Sequence, residues 1–300
     1  MIYTVTFNPS LDYSIQVDQF QTGQLNRTTA ESIQVGGKGI NVSVVLTRMG
    51  VPNIALGFIA GFTGEYIQNG MNELGCNTDF IHLPSGFSRI NVKMTSGIET
   101  EINGKGPIIQ EEEFKQLMIR IAKLKAGDTL VLAGSIPTSL PQDIYEQILE
   151  KVDTTKIRVV VDATSFLLRR TLAYRPYLIK PNLQELSELF ARPLCEFDDI
   201  VCCARHLQEE GARNVLVSMG AQGALLVTEE DHVLAAPAPA GDVVDTIGAG
   251  DSMVAGFIAG YMERNSYVDA FRKGIAAGSA TAFTSGLATA AQINDVGRRV

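Results

Sequence analysis

The sequence predicts an α/β protein: a mostly parallel central sheet covered by helices on both faces, with a small second sheet attached. Three observations predict it. Short apolar runs such as Thr129–Ala133 and Val159–Asp162 recur along the chain, and a strand buried on both faces reads as such a run. Helical patterns separate these runs, as crossover helices do in a parallel sheet. Three further segments alternate apolar and polar residues, as strands with one wet face do. With 300 residues, 45% of them hydrophobic, the chain can bury a sizeable core and is too apolar to be disordered. No repeat, low-complexity tract or linker divides it, so one unit over residues 1–300 is expected.

In chain order, Ile2–Phe7 is a β-rich run stopped by the turn signal Asn8-Pro9. Tyr13–Val17, Ala30–Val35 and Ile90–Met94, the last continuing past Gly97 to Ile102, are the alternating pieces. They predict a small sheet drawn from about 12–18, 29–35 and 88–103. Asn41–Met49 reads as a helix ending at Gly50, and Ala55–Ile59 as a strand. Glu65–Leu74 reads as a helix closed by Gly75, since glycine takes the left-handed turn that ends helices. Glu111–Leu124 carries acids in its first turn and Lys123 and Lys125 near its end, which suits the helix dipole. Strands are expected at Thr129–Ala133, Val159–Asp162, Tyr177–Lys180 and Asn214–Ser218. Helices are expected at Gln142–Lys151, Leu183–Phe190 and Ile200–Glu210. Ala224–Val227 and His232–Ala235 form an expected hairpin, and Asp251–Arg264 and Tyr267–Ser285 the last long helices.

The charge balance is 25 Lys+Arg against 33 Asp+Glu, a net −8. That argues against a nucleic-acid or membrane-surface binder, because both rely on basic patches. It does not exclude a small anionic ligand, which meets only a local field. Cys76, Cys195, Cys202 and Cys203 form no Cys-x-x-Cys pair, so neither a zinc site nor a disulfide framework is expected. The N-terminus has no basic, apolar and cleavable signal pattern, and no run approaches the roughly 18 apolar residues of a membrane span. A cytoplasmic protein with reduced thiols is the expectation.

The segment Asp245-Thr246-Ile247-Gly248-Ala249-Gly250-Asp251-Ser252 leads into an apolar helical pattern. Small residues permit a tight loop, and the helix start adds unpaired N–H groups and a positive dipole end. Gly248, Ala249 and Gly250 thus suit charge developing on a transferred phosphoryl group. Asp251 is placed to accept a hydroxyl proton. Its place at the helix start predicts an ionised, weak base, which a loose phosphoryl-transfer transition state tolerates. The plainer reading makes Asp251 a helix cap. Gly36-Gly37-Lys38-Gly39-Ile40-Asn41 lies between an expected strand and helix and puts a cation in a glycine loop. It is not a P-loop, which needs Ser or Thr after the lysine. An ordinary turn is its plainer reading. In Lys180-Pro181-Asn182-Leu183-Gln184-Glu185, Asn182 and Glu185 lie three apart on one helix face and suit a hydrated Mg²⁺. Plain helix-start chemistry accounts for them equally. Asp12 follows the first strand, at the strand ends where open parallel sheets bind ligands. Arg89, Asn91 and Lys93 share a strand face, with a solvated face as the plainer reading for Lys93. Gly134-Ser135 follows a buried strand. His82, His206 and His232 join no metal or nucleophile constellation.

Together and in this order, these segments resemble the PfkB (ribokinase-like) carbohydrate kinases nearly end to end. Thr6-Phe7-Asn8-Pro9-Ser10-Leu11-Asp12, Val217-Ser218-Met219-Gly220 with Gln222-Gly223-Ala224, and Ala276-Ala277-Gly278-Ser279 complete the match. The resemblance implies a ribokinase-like three-layer α/β/α sandwich whose small sheet is a lid. It implies Asp251 as base and Gly248, Ala249 and Gly250 as anion hole. It implies sugar-phosphate contacts from Asp12, Gly37, Lys38, Gly39, Asn41, Arg89, Asn91 and Ser135. ATP contacts would come from Lys180, Asn182, Ser218, Gly220, Gly223 and Ser279, and an outer-sphere Mg²⁺ contact from Glu185. A homodimer through the lid is also implied. Lys38 and Ser88-Arg89-Ile90-Asn91-Val92-Lys93 favour a phosphosugar over an uncharged sugar. Glu101-Ile102-Asn103-Gly104 points to D-fructose 1-phosphate, phosphorylated at the 6-hydroxyl, with tagatose 6-phosphate as the neighbouring choice. Lys105 stands where Gln or Glu is expected. A Rossmann oxidoreductase would need Gly-x-Gly-x-x-Gly where Asn8-Pro9-Ser10 stands. A non-catalytic sensor would have lost the base or the glycines, which are retained. The acidic chain should therefore carry a locally positive cleft around Lys38, Arg89, Lys93 and Lys180.

Overall fold

The computed structural model describes residues 1–300, the side chain of Ser165 excepted. The strands are β1 (Ile2–Thr6), β2 (Ser10–Gln16), β3 (Ala30–Gly36), β4 (Asn53–Ala60), β5 (Asn77–Leu83), β6 (Arg89–Ser96), β7 (Ile98–Asn103), β8 (Thr129–Ala133), β9 (Arg158–Asp162), β10 (Leu178–Ile179), β11 (Asn214–Ser218), β12 (Ala224–Val227) and β13 (Val233–Ala236). The helices are α1 (Lys38–Arg48), α2 (Gly61–Glu73), α3 (Glu111–Ile121), α4 (Ile144–Leu149), α5 (Ser165–Thr171), α6 (Leu183–Leu189), α7 (Phe197–Glu209), α8 (Ala249–Arg264), α9 (Tyr267–Ala282) and α10 (Ala290–Gly297).

The large sheet has the order β13-β12-β11-β10-β9-β8-β1-β4-β5. It is parallel from β11 to β5, and β12 and β13 add an antiparallel edge. The chain first builds outward from β1 through β4 and β5, then returns to β1's other side with β8. Strand order therefore reverses at β1, and the crevice at such a reversal, beyond the strands' C-terminal ends, is where open α/β sheets bind ligands.

Successive side chains of a strand point to opposite faces, and the core divides accordingly. Leu130, Leu132, Val159 and Val161 pack with Leu117 of α3 and Ile148 of α4 on one face. Val131 and Val160 pack with Val45 of α1 and Phe257 of α8 on the other. These are the three layers that the resemblance implied. Helix α8 is buried from Asp251 to Gly260, which its all-round apolar sequence requires. Its glycines let α9 approach: a Cβ on Gly256 would lie 2.4 Å from the Lys273 carbonyl oxygen.

The small sheet has the order β3-β2-β6-β7. Four strands stand where three pieces were expected, because the chain turns back at Gly97 (φ +74) and β7 pairs antiparallel with β6. Helix α1 begins at Lys38, three residues earlier than Asn41, so the glycine loop's cation belongs to the helix's first turn. Three elements had no clear sequence signal. β5 is an edge strand with a polar first half, α5 is short, and α10 opens on a Thr289/Gln292 capping box.

Phe257 is fully buried at the centre of the α8 layer. Phe257→Ala should destabilise the fold by about 3–5 kcal/mol, read as a lowered denaturant midpoint with unchanged slope.

Candidate active site

Helix α8 begins at the C-terminal ends of β9 to β11, where its first residues line one cavity with Asp162, Lys180 and Ser218. Its N-cap, Gly248, sits at φ +74, and a Cβ there would lie 2.6 Å from Leu287 Cδ2, so the tight turn needs glycine. No side chain caps this end. The N–H groups of Gly250 and Asp251 find no backbone acceptor, as expected of a first helical turn. Gly250 also faces Lys180, whose ammonium would lie 3.2 Å from a Cβ there. Two unpaired N–H groups, the helix dipole and a nearby cation suit this loop to an anion.

Asp251 is buried, and its Oδ2 accepts a 2.7 Å hydrogen bond from Asn41 Nδ2 of α1. Burial, reinforced by the charge of Asp162, pushes its carboxyl up to about 6. Lys38, Asn41 and Lys180 pull the other way. This corrects the expectation of a weak base held ionised by the helix start. Burial wins, and the group titrates near working pH, where a general base is most effective.

Asp162 ends β9 and was not singled out from the sequence. It is fully buried, with Lys38 Nζ at 2.8 Å from Oδ1 and Lys180 Nζ at 3.5 Å from Oδ2. Burial opposes its charge, but the two lysines prevail and hold its carboxyl below the ordinary range. Burial likewise works against the charge on Lys38, and Asp162, Asp251 and Glu185 more than offset it, so its pKa is raised. A signal existed: a carboxylate closes the apolar run Val159-Val160-Val161 at a strand's C-terminal end.

Two cavities meet at Lys38. The larger, about 690 Å³, is lined by Lys38, Asp162, Lys180, Asn182, Ser218, Gly220, Gly223, Gly248, Ala249, Gly250, Asp251 and Ser279, with apolar Ile275 and Phe283. The smaller, about 190 Å³, is lined by Gly37, Lys38, Arg89 and Ser135, with Asn8 and Gly134. Gly39, Asn41, Asp12, Asn91 and Glu185 line neither. Asn41 reaches the site through Asp251. Asp12 and Asn91 lie on the small sheet, where Asp12 Oδ1 accepts from Ser10 Oγ at 2.7 Å and Asn91 Nδ2 at 2.9 Å. Lys93 Nζ lies 3.0 Å from Asp12 Oδ2. Lys93 is therefore a buried partner of Asp12, against its plainer reading as a solvated residue, and, against its expected place in the positive cleft, it lines neither cavity. Lys38, Lys180 and Arg89 are the expected cations that do. Arg89 Nε donates to the Asn8 backbone oxygen at 3.0 Å, tying the small sheet to the end of β1.

Asn182 and Glu185 form a reciprocal capping box: each side chain accepts from the other's backbone N–H at 2.8 Å. The plain helix-start reading thus applies to both, while Asn182 still faces the larger cavity.

A model of the pfkB family carbohydrate kinases matches residues 5–294. The chain belongs to this family. It is 47% identical over 289 residues to the 1-phosphofructokinase of Bacillus subtilis, covering 96% of this chain and 95% of that one. It is 38% identical over 302 residues to the D-tagatose-1-phosphate kinase of Bacillus licheniformis, covering 100% and 98%. Its fold superposes on phosphofructokinase-2 from Escherichia coli in complex with substrates and products with a TM-score of 0.93, at 30% identity, covering 99% and 98%. The α/β ribokinase-like fold and the phosphotransferase class are thereby established.

The charge cluster yields a pH prediction. Asp251 accepts a proton only when ionised, so kcat/KM should fall about tenfold per unit below a pH of about 6 and level off above it. Asp162→Asn removes a neighbouring negative charge, so Asp251 should ionise more readily and the acid limb should move to lower pH. A limb that stays in place means that Asp251 does not sense Asp162.

Proposed function

We propose that this protein transfers the γ-phosphoryl group of ATP to the 6-hydroxyl of D-fructose 1-phosphate, giving fructose 1,6-bisphosphate. The observation that carries the reading is Asp251, set beside an uncapped helix start in the larger of two cavities that share Lys38. The relative from Bacillus subtilis supports the choice of acceptor.

ATP occupies the larger cavity. Ser218, Gly220, Gly223 and Ser279 contact the nucleotide, and Lys180 and Asn182 its phosphates. The acceptor occupies the smaller cavity and the facing small sheet. Gly37, Lys38, Gly39, Arg89 and Ser135 contact it there, and Asp12 and Asn91 bind its hydroxyls from the small sheet. Asn41 orients Asp251, which takes the 6-hydroxyl proton as the phosphoryl group crosses. Gly248, Ala249 and Gly250 meet the charge on its equatorial oxygens with fixed N–H groups, which need no reorganisation. A loose transition state is served chiefly by such positioning and electrostatics.

The residues fit Mg²⁺ held through water. No group of three or more His, Cys, Asp or Glu able to cage an ion directly occurs among the described residues. Mg²⁺ keeps several of its waters, so one carboxylate and an amide at a helix start suit it. Glu185 and Asn182 would hold the hydrated ion, which neutralises phosphate charge when bound. The small sheet serves as a lid that closes over the sugar and excludes water, limiting ATP hydrolysis. Its exposed Ile33, Ile98 and Ile102 favour a homodimer through the lid.

A second reading takes the tagatose epimer, in the light of the Bacillus licheniformis relative. ADP release measured over D-fructose 1-phosphate, D-fructose 6-phosphate, D-tagatose 1-phosphate and D-tagatose 6-phosphate separates the two. The highest kcat/KM is expected with D-fructose 1-phosphate. Asp251→Asn should cut kcat by several orders of magnitude while ATP binding persists. No ADP release with any ketose phosphate favours a sensor, and near-normal turnover in the variant removes Asp251 as base.

A further inference from the structure

A third cavity, of about 470 Å³, adjoins the acceptor cavity and shares Arg89 with it. It is lined by Ser85, Phe87, Ile90, Lys105 and Pro107 among others, and its only charged residues are Arg89 and Lys105. In a chain of net charge −8, a largely apolar cavity whose charged lining is two cations and no carboxylate favours an anion.

The backbone around Lys105 is pinned. Gly104 N–H donates to Asn91 Oδ1 at 3.2 Å, and the Lys105 carbonyl accepts from Asn8 Nδ2 at 3.0 Å. Gly106 takes φ +83, and a Cβ there would lie 2.2 Å from Asn8 Oδ1. The Asn8 backbone oxygen also receives Arg89 Nε. Two asparagines thus hold Gly104, Lys105 and the neighbouring arginine near the end of β1, and Asn8 leaves room only for glycine at 106. The Lys105 ammonium, by contrast, has no carboxylate or hydrogen-bond partner among the described residues. A solvated lysine needs no such anchoring. A lysine that must meet a ligand at a fixed place does.

The three cavities form a series. Lys38 joins the nucleotide cavity to the acceptor cavity, and Arg89 joins the acceptor cavity to the outer one. A ketose phosphate whose free hydroxyl faces Asp251 points its phosphate away from the nucleotide. We infer that Lys105, together with Arg89, receives the phosphate that the acceptor already carries, and so sets the preference for a phosphorylated sugar. This rests on the kinase reading above. Arg89 binds from the inner side, and Lys105 closes the outer side as a mobile point charge.

Steady-state kinetics of Lys105→Gln and Lys105→Arg test the inference. A charge-assisted contact to phosphate corresponds to about a ten- to hundredfold change in affinity. The Gln variant should therefore raise the KM for D-fructose 1-phosphate by about tenfold or more. Its KM for ATP should stay within about twofold, and the Arg variant should recover most of the loss. A KM for D-fructose 1-phosphate within about twofold of wild type in Lys105→Gln overturns the assignment. If the wild-type protein turns over no ketose phosphate, the kinase reading fails separately. Calorimetric titration with inorganic phosphate then still reads the site: a weaker affinity in Lys105→Gln supports the inference, and equal affinities overturn it.

Discussion

Everything in the site hangs on how the chain holds two buried carboxylates, the buried ammonium of Lys180 and the half-exposed ammonium of Lys38 in one place. Asp162 cannot stay ionised in the interior without Lys38 and Lys180, and neither lysine would keep its position without Asp162. The same balance sets Asp251. It lies close enough to Asp162 to feel its charge, and burial does the rest. One arrangement therefore supplies fixed cations suited to phosphates and a carboxylate tuned toward neutrality. Its cost in desolvation is borne by a sheet whose strands are apolar on both faces.

The fold makes that arrangement possible by bringing distant segments together. Lys38 opens α1, Asp162 ends β9, Lys180 follows β10 and Asp251 opens α8. All four line one cavity at the C-terminal ends of the central strands. Close packing of α9 against the glycines of α8 fixes the direction of α8, and hence where its uncapped end points. The small sheet approaches from the other side and is tied to β1 through Asn8 and Arg89.

The net charge of −8 and an anion site coexist because the two operate on different scales. Most acidic residues lie on solvated surface, where water and salt screen them. The cavities concentrate cations and helix N–H groups in a low-dielectric crevice, where each counts for more. Lys93 shows the limit of reading such a field from composition, since its charge is spent on Asp12 and it lines neither of the two cavities that share Lys38.

The sequence by itself determined the layered α/β class, most strands and helices, and the glycine loops around Lys38 and Asp251. Those follow from local periodicity and from residues with special backbone freedom, which act over a few positions. Weak periodicity hid β5 and α10, and the turn at Gly97 hid the fourth strand of the small sheet. Only the tertiary structure decided the roles that depend on burial and on partners far along the chain. Asp162 is an ordinary strand end until Lys38 and Lys180 close on it, and Lys93 looks solvated until Asp12 meets it. The proton affinity of Asp251 reverses for the same reason: local sequence supplies the helix dipole, but the interior supplies the desolvation and the neighbouring charge that outweigh it.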